Sequence, residues 1–301
     1  MLLNPSLPEV VIDRVILNLR KIENAFNRIR FSKFNPLTTS ICSLNEALEG
    51  PSKLSIEYGE MSNWPLPYTK GYTDVIGDSF EENVKMRIIA GLDPNKFTGS
   101  RKSWYFCNVV YALEYFKAFE VFGLLSSSAK RILAGKMALL CANFSNYYYS
   151  MKSRRIESMS DTDAIVNPDG TAPFEGMETV FSTQYEAAVS CIQTLRSLNI
   201  DDNEYALMKV LLILSPDLED ASVSERAILT AHSESYAKIL FSYVMARLGR
   251  DHGPRKYQEM LSFIDTINHR TKLERDLQVL MGALGLYRRH HCPLLEEIML
   301  I

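Results

Sequence analysis

The chain has 301 residues, of which 47% are hydrophobic, 10% aromatic and 23% charged, with a formal net charge of −3 and a pI near 6.0. This is the composition of an ordinary globular protein that is long enough for one large hydrophobic core. The slight negative charge argues against a surface built mainly to neutralise phosphate, so direct nucleic-acid binding is not expected.

The cysteines are scattered and odd in number, which indicates reduced thiols rather than a disulfide framework. They are Cys42, Cys107, Cys141, Cys191 and Cys292. No Cys-x-x-Cys pair occurs, so no zinc site of clustered cysteines is expected. No apolar run approaches the roughly 18 residues of a membrane span, and Met1 to Val11 do not resemble a secretion signal. The sequence therefore predicts an intracellular protein with no membrane segment.

The first part of the chain predicts two helices and a long irregular segment. Apolar residues recur at helical spacing from Glu9 to Arg30, which predicts an amphipathic helix. Ser43-Leu44-Asn45-Glu46 has the form of a capping box and predicts a short helix that ends near Gly50. Trp64-Pro65-Leu66 predicts irregular chain, and Phe80 to Ala90 predicts a further helix.

The rest of the chain is predicted to be almost entirely helical. Its predicted elements, in order, are a long helix at Arg101–Phe122, a second at Ala129–Met151, a β-hairpin at Ile165–Gly170, helices at Thr179–Leu198 and Asp202–Leu214, a helix from the Ser222 capping box to Gly249, and a helix at Arg255–His290.

The last stretch, Pro293 to Ile301, predicts a short amphipathic helix. Pro293 favours a helical first turn, and the apolar residues that follow recur at helical spacing around Glu296 and Glu297. An isolated helix shorter than about 12–15 residues is not stable in water, so this one must dock onto the rest of the chain. Its docking can depend on what else is bound, or it can simply close the core.

Two motifs resemble the ligand-binding domains of nuclear receptors. Lys117, Phe122 and Leu125 have the spacing of that family's third-helix signature, and Leu294 to Met299 match its activation pattern, with Glu297 as the acidic residue. Phe34-Asn35-Pro36, the short leucine-bearing helix and Trp64-Pro65-Leu66 occur in the same order as in the nematode supplementary nuclear receptors of hepatocyte-nuclear-factor type. The chain is most similar to that group.

The resemblance implies an all-α fold, a three-layer α-helical sandwich with one small β-hairpin. The domain would span 1–301, with the first helix and a variable region in 1–100 and the core in 101–301, ending in the activation helix 293–301. No zinc-finger DNA-binding domain is present, so such a module was either removed or never existed. DNA contact would then come from a missing module or a partner.

The resemblance also implies a groove for a coactivator helix of Leu-x-x-Leu-Leu type. Lys117 and Glu297 would form the charge clamp at its two ends. The predicted groove residues are Lys117, Lys130, Arg131, Ala134, Leu294, Glu297 and Ile298. The sequence departs from the family at Ala129, Leu133 and Gly135, so the groove wall is smaller and differently charged. Lys130 or Lys136 can supply the missing charge, or can simply be solvated.

A lipophilic ligand, such as a fatty acid, is the expected small molecule, and no cofactor or metal is expected. The predicted ligand-binding residues are Tyr105, Asn108, Ala112, Ala142, Asn146, Tyr149, Leu277 and Met281. Tyr149 stands where retinoid and fatty-acid receptors of the family carry an arginine. An acidic lipid would therefore be anchored differently, or the ligand is neutral; alternatively, Tyr149 is a core tyrosine.

The resulting prediction is a nuclear, ligand-regulated transcription factor that forms a homodimer or a receptor heterodimer through residues 255–290. The alternative is a ligand-independent, receptor-like scaffold or corepressor that acts through dimerisation. Enzyme motifs are absent, including phosphate loops and nucleophile elbows. Glu204 is a candidate for the family's buried acid that pairs with a later arginine, although an acid near a helix N-terminus is also favoured by the helix dipole.

Overall fold

The computed structural model describes residues 8–31, 34, 36, 38, 40–55, 104–153, 182–214, 221–283 and 292–301. Within these ranges all regular structure is helical, which confirms the predicted all-α class. The α-helices are α1 (Glu9–Arg30), α2 (Leu44–Leu48), α3 (Trp104–Lys117), α4 (Glu120–Gly123), α5 (Ser127–Ser153), α6 (Ser182–Leu198), α7 (Asp202–Ile213), α8 (Val223–Ala283) and α9 (Pro293–Leu300). A 3₁₀ turn at Lys53–Ser55 follows α2. The predicted hairpin at Ile165–Gly170 and the predicted helix at Phe80–Ala90 lie outside the described residues.

The helices pack in layers around α5. On one side α5 contacts α3, and α1 packs against both α3 and α7. On the other side α8 packs against α7, α5 and α6. In the described parts of the chain, no helix is long and apolar enough to cross a membrane.

Helix α1 has the bounds that its apolar pattern predicts. Its buried stripe includes Ile12, Leu19, Phe26 and Ile29, which recur at intervals of seven or three residues and therefore share one face. The last turn also buries Arg30, which is only 1% exposed and whose guanidinium lies 4.1 Å from the ring centroid of Tyr149. The helix therefore contributes a charged group as well as an apolar face to the core.

The predicted helix Arg101–Phe122 is wrong at its C-terminal end, because α3 stops at Lys117. Phe119 has an extended backbone (φ −96°, ψ 132°) and precedes the separate short helix α4. This conformation breaks the helical hydrogen-bond ladder and places the Phe119 ring 5.1 Å from the Tyr115 ring. The gain from burying two aromatic rings offsets the lost helical bonds, and Lys117 becomes a helix-terminal residue.

A buried ion pair joins α1 to α7. Lys209 is fully buried, and its ammonium donates to Glu23 Oε2 at 3.2 Å. The same ammonium lies 3.5 Å from the ring centroid of Phe26 and 3.8 Å from that of Tyr115. The negative faces of the rings and the carboxylate together replace the water that the buried cation has lost.

The structure supports both interpretations of Glu204, as an acid at a helix N-terminus and as the partner of a later arginine. Asp201 caps α7, and the Glu204 carboxylate accepts a hydrogen bond from the Asp201 backbone N–H at 2.9 Å, which completes a capping box. The fully buried Glu204 side chain also lies 3.3 Å from Arg247 and 2.9 Å from Lys256. The carboxylate therefore pairs with the later arginine, as the resemblance implied, and it links α7 to α8.

Helix α8 contains a sharp break at Gly249, which has φ 71° and ψ −173°. The sequence predicted that the first helix ends here, and the structure agrees. The second half begins before the predicted Arg255, since the backbone is helical again directly after Gly249 and Pro254 lies inside the helix. The backbone of α8 is thus helical on both sides of Gly249, which alone has a non-helical conformation.

Candidate functional site

Helix α9 is docked onto the body of the domain. It packs against α5, α8 and α2, and its residues Leu294 and Ile298 are fully buried. The Ile301 side chain lies against Gly135 of α5, where an added Cβ would come within 2.7 Å of Ile301 Cδ1. Glycine at this position therefore allows the chain end to approach α5, which explains the small groove wall noted in the sequence.

Glu297 is the acidic residue on the edge of α9, and both of its oxygens are in use. Arg131 of α5 donates to Oε1 at 2.7 Å, and the backbone N–H of Leu44 donates to Oε2 at 2.8 Å. Leu44 is the first residue of α2. Glu297 thus binds the free amide end of a helix, and Arg131 orients its carboxylate.

Lys117 lies at the opposite end of α2. Its ammonium donates to the Glu49 carbonyl at 2.8 Å, to the Ala47 carbonyl at 3.3 Å and to Glu114 Oε1 at 3.3 Å. Burial lowers the pKa of Lys117, while the neighbouring Glu114 carboxylate opposes that shift. Lys117 therefore binds the free carbonyl end of the same helix whose amide end Glu297 binds.

The structure thus brings together three of the predicted groove residues, Lys117, Arg131 and Glu297, around α2. Helix α2 packs against α3, α5 and α9, so these three helices form a groove. Ala134 is fully buried on α5. Lys130 lies elsewhere, with its ammonium 5.7 Å from the Phe122 ring centroid, and the charge near Glu297 comes from Arg131 instead.

Comparison with known proteins shows the family of this chain. The family profile described as "Ligand-binding domain of nuclear hormone receptor" matches residues 102–281, which is more than half of the chain. The chain belongs to the nuclear hormone receptors. This membership confirms the resemblance seen in the sequence and agrees with the expectation that the chain is not an enzyme.

The similar curated proteins include several nuclear hormone receptor family members of Caenorhabditis elegans. The chain is 29% identical to nhr-60 over 269 residues, covering 87% of this chain and 55% of the relative. It is 27% identical to nhr-153 over 168 residues, covering 55% and 39% respectively, and 22% identical to nhr-136 over 212 residues, covering 68% and 47%. The chain spans about half the length of these relatives.

The predicted ligand-binding residues of this receptor domain differ in burial and in the helices that they contact. Asn108, Ala112 and Ala142 are buried in the core, and Asn146 and Leu277 are half-buried. Tyr105 is 37% exposed and hydrogen-bonds to Glu274 of α8. Tyr149 instead packs against α1 and α7, with its ring edge-on to Tyr205 at 5.9 Å. The side chain of Met281 lies outside the described residues.

A polar cluster that the sequence analysis missed lies between α3, α5 and α8 of the receptor. Asn143 Nδ2 donates to Glu274 Oε2 at 2.6 Å and lies 3.4 Å from Thr271 Oγ1. Burial raises the pKa of Glu274 to about 7, against the opposing effect of hydrogen bonds from Asn143 and Tyr105. Asn143 and Glu274 are 131 residues apart, so no local spacing could have signalled their contact.

The described residues contain no group of three or more His, Cys, Asp and Glu side chains able to hold a metal ion. Of the adjacent residues His290, His291 and Cys292, only Cys292 lies within the described part of the chain. It is buried at the start of α9, with its thiol 3.8 Å from the Thr38 carbonyl.

Proposed function

We propose that this domain recruits a transcriptional coactivator through a Leu-x-x-Leu-Leu helix that binds between α3, α5 and α9. A lipophilic ligand favours docking of α9 and thereby completes the groove. The domain acts in the nucleus as part of a receptor, and DNA contact comes from another module or a partner. The observation that carries the proposal is the position of Lys117 and Glu297 at the two ends of a single helix.

This clamp suits any short helix that presents an apolar face. The first N–H groups and the last C=O groups of a helix have no partners within it. The helix dipole adds positive potential at the amide end and negative potential at the carbonyl end. The carboxylate of Glu297 and the ammonium of Lys117 each meet the end of opposite potential, so the clamp recognises a helix by its direction.

Two helices outside the matched region support a domain that spans 1–301. Helix α1 precedes residue 102 and packs against α3 and α7, and α9 follows residue 281 and packs against α5 and α8. Both contribute buried residues to the same hydrophobic core. These contacts support the proposal that α1 and the activation helix 293–301 belong to the same domain as the matched region.

The polar cluster supports a neutral ligand with one hydrogen-bonding group. Tyr105, Asn143 and Glu274 lie between α3, α5 and α8, where the resemblance places the ligand. An ionised Glu274 would repel a fatty-acid carboxylate, whereas its protonated form can donate to a carbonyl or hydroxyl oxygen. Fatty esters, alcohols or sterols suit this site better than free acids.

The exposed face of α8 supports dimerisation. Leu273 and Leu280 are each 54% exposed and are separated by two helical turns, so they lie on the same side of the helix. An exposed apolar patch of this kind is typical of a protein interface. We propose a homodimer or receptor heterodimer through the predicted range 255–290, of which 284–290 lie outside the described residues.

The clamp can be tested by fluorescence anisotropy with a labelled Leu-x-x-Leu-Leu peptide. Saturable binding is expected for the unmodified domain, and Glu297→Lys and Lys117→Glu are each expected to weaken it about 10- to 100-fold. Each variant removes a charge-assisted hydrogen bond to the peptide, worth about 1.5–3 kcal/mol.

The matched control is Glu296→Lys, which makes the same charge change at an exposed neighbour on α9. It is expected to retain binding. Circular dichroism establishes that all variants are folded. Equal affinity of Glu296→Lys and Glu297→Lys, or no binding by any form after addition of a lipid extract, would contradict the proposed function and favour the ligand-independent scaffold.

A further inference from the structure

The helix inside the groove is the receptor's own, and its sequence resembles a coactivator motif. Helix α2 reads Leu44-Asn45-Glu46-Ala47-Leu48, which is Leu-x-x-Leu-Leu with alanine at the fourth position. In a helix the first, fourth and fifth positions of this motif share one face. Leu44 is fully buried, Ala47 is 7% exposed and Leu48 is half-buried, whereas Asn45 and Glu46 are exposed.

The contacts at both ends of α2 are those that a coactivator helix would need. Glu297 Oε2 accepts from the Leu44 N–H at 2.8 Å, and Lys117 Nζ donates to the Glu49 carbonyl at 2.8 Å. Helix α2 contacts α3, α5 and α9, the three helices that form the groove. A second helix cannot make these contacts while α2 makes them, so the two must compete.

Capping hydrogen bonds favour the helical conformation of α2, but the helix is not stable alone. Ser43 Oγ accepts from the Glu46 N–H at 3.2 Å, and the Glu46 carboxylate accepts from the Cys42 N–H at 2.8 Å. These caps lower the cost of forming the helix. Five residues are nevertheless far below the length of a stable isolated helix, so α2 is helical because the groove holds it.

We propose that α2 is an intramolecular ligand of the coactivator groove, and that a coactivator binds by displacing it. The inference rests on the proposed function of the clamp. Because α2 is tethered through residues 31–43 to α1, its effective concentration at the groove is on the order of millimolar. The apparent Kd of a coactivator is the intrinsic Kd divided by the fraction of molecules whose groove is open.

The test compares the unmodified chain with the double variant Leu44→Ala/Leu48→Ala, using the labelled peptide described above. If α2 fills the groove in about nine-tenths of molecules, the variant is expected to bind the peptide about tenfold more tightly. The control is Leu17→Ala/Leu124→Ala, which truncates two leucines that are 56% and 61% exposed on α1 and beside α4. The control is expected to bind as the unmodified chain does.

The outcomes separate the two proposals. Equal peptide affinity in the unmodified chain and the α2 variant would leave the coactivator groove standing and overturn the role of α2. No binding by either form would overturn both, because the clamp itself would then have failed. Tighter binding by the α2 variant that is abolished by an added Glu297→Lys change supports both.

Hydrogen exchange on the unmodified chain provides a second test that does not depend on the folding of a variant. Saturation with the peptide is expected to raise amide exchange in residues 44–48, because the displaced segment loses its helical bonds. Exchange at the end of α3 and in α9 is expected to stay the same or fall. A bound peptide that leaves the protection of residues 44–48 unchanged would overturn the displacement mechanism.

Discussion

Glu274 has a pKa well above that of an exposed carboxyl group. Burial raises its pKa to about 7 from an ordinary value of 4.5, although Asn143 and Tyr105 donate hydrogen bonds to it. The folded state therefore binds a proton over a pH range in which the unfolded chain does not. The protonated carboxyl stabilises the fold below pH 4.5, and that contribution is lost as the pH rises through about 7.

Replacement of Glu274 by glutamine is expected to remove this titration. The free energy of unfolding of Glu274→Gln should rise relative to the unmodified chain by up to about 3 kcal/mol between pH 4.5 and pH 8. The measurement is urea denaturation at a series of pH values. Glu259→Gln, at an exposed position of the same helix, is the control and should show no such change. A pH-independent difference for Glu274→Gln would refute the proposed protonation.

Arg131 provides the positive charge beside Glu297 that the sequence analysis expected from a lysine. The sequence offered Lys130 or Lys136 as the charge that completes the groove wall, but Arg131 makes the contact with Glu297. The contact is double, since both the Nε and a terminal nitrogen of Arg131 lie 2.7 Å from Glu297 Oε1. Such a pair holds the carboxylate more rigidly than a single lysine would.

The course of α8 depends on the backbone conformation of a single residue, Gly249. Gly249, with φ 71° and ψ −173°, separates two helical halves and sets the angle between them. The first half carries Arg247 and the second carries Lys256, and both contact Glu204 of α7. The break therefore lets one buried carboxylate bind cations from both halves.

Gly249→Ala is expected to lower the free energy of unfolding by about 1–3 kcal/mol, because residues with a Cβ avoid this backbone region. Gly123→Ala in α4 is the matched control. Neither glycine has a neighbouring atom within 4 Å of an added Cβ, but only Gly249 has positive φ. The control should be neutral or stabilising by less than about 1 kcal/mol. Equal urea midpoints for the two variants would contradict this account.

The two shortest elements of the groove are stable only together with the rest of the fold. Helices α2 and α9 have 5 and 8 residues, which is too few for independent stability. Their mutual contact through Glu297 and the Leu44 N–H couples the docking of one to the docking of the other. A ligand that favours docked α9 therefore also changes how strongly α2 is held.

Assembly of the whole receptor domain is expected to depend on the outer face of α8. Burying Leu273 and Leu280 against a partner removes apolar surface from water, and a charge at either position would oppose this. Sedimentation velocity of Leu273→Glu/Leu280→Glu should show a shift towards monomer. Leu17→Glu/Leu124→Glu, at exposed leucines outside this face, should sediment as the unmodified chain. A chain that is monomeric before any change would contradict a homodimer.

Local sequence predicted correctly those helix boundaries that depend on residues close together in the chain. The bounds of α1 and the start of α2 follow from apolar periodicity and a capping box, which involve residues no more than four positions apart. The end of α3 was predicted wrongly because the ring of Phe119 packs against Tyr115, and that gain is not visible in helical periodicity. The pairing of Lys117 and Glu297 was expected from the resemblance rather than from their spacing.

The role of Lys117 and Glu297 as a coactivator clamp stays a prediction from the resemblance, whereas the helical class and the break at Gly249 could be predicted from the order of the amino acids. The occupant of the clamp could not, although the Leu-x-x-Ala-Leu pattern of α2 was present in the sequence. Its contact with Glu297 joins residues 253 positions apart, and that of Asn143 with Glu274 joins residues 131 apart. Such contacts exist only after the helices have packed, because packing alone sets the direction and burial of each side chain.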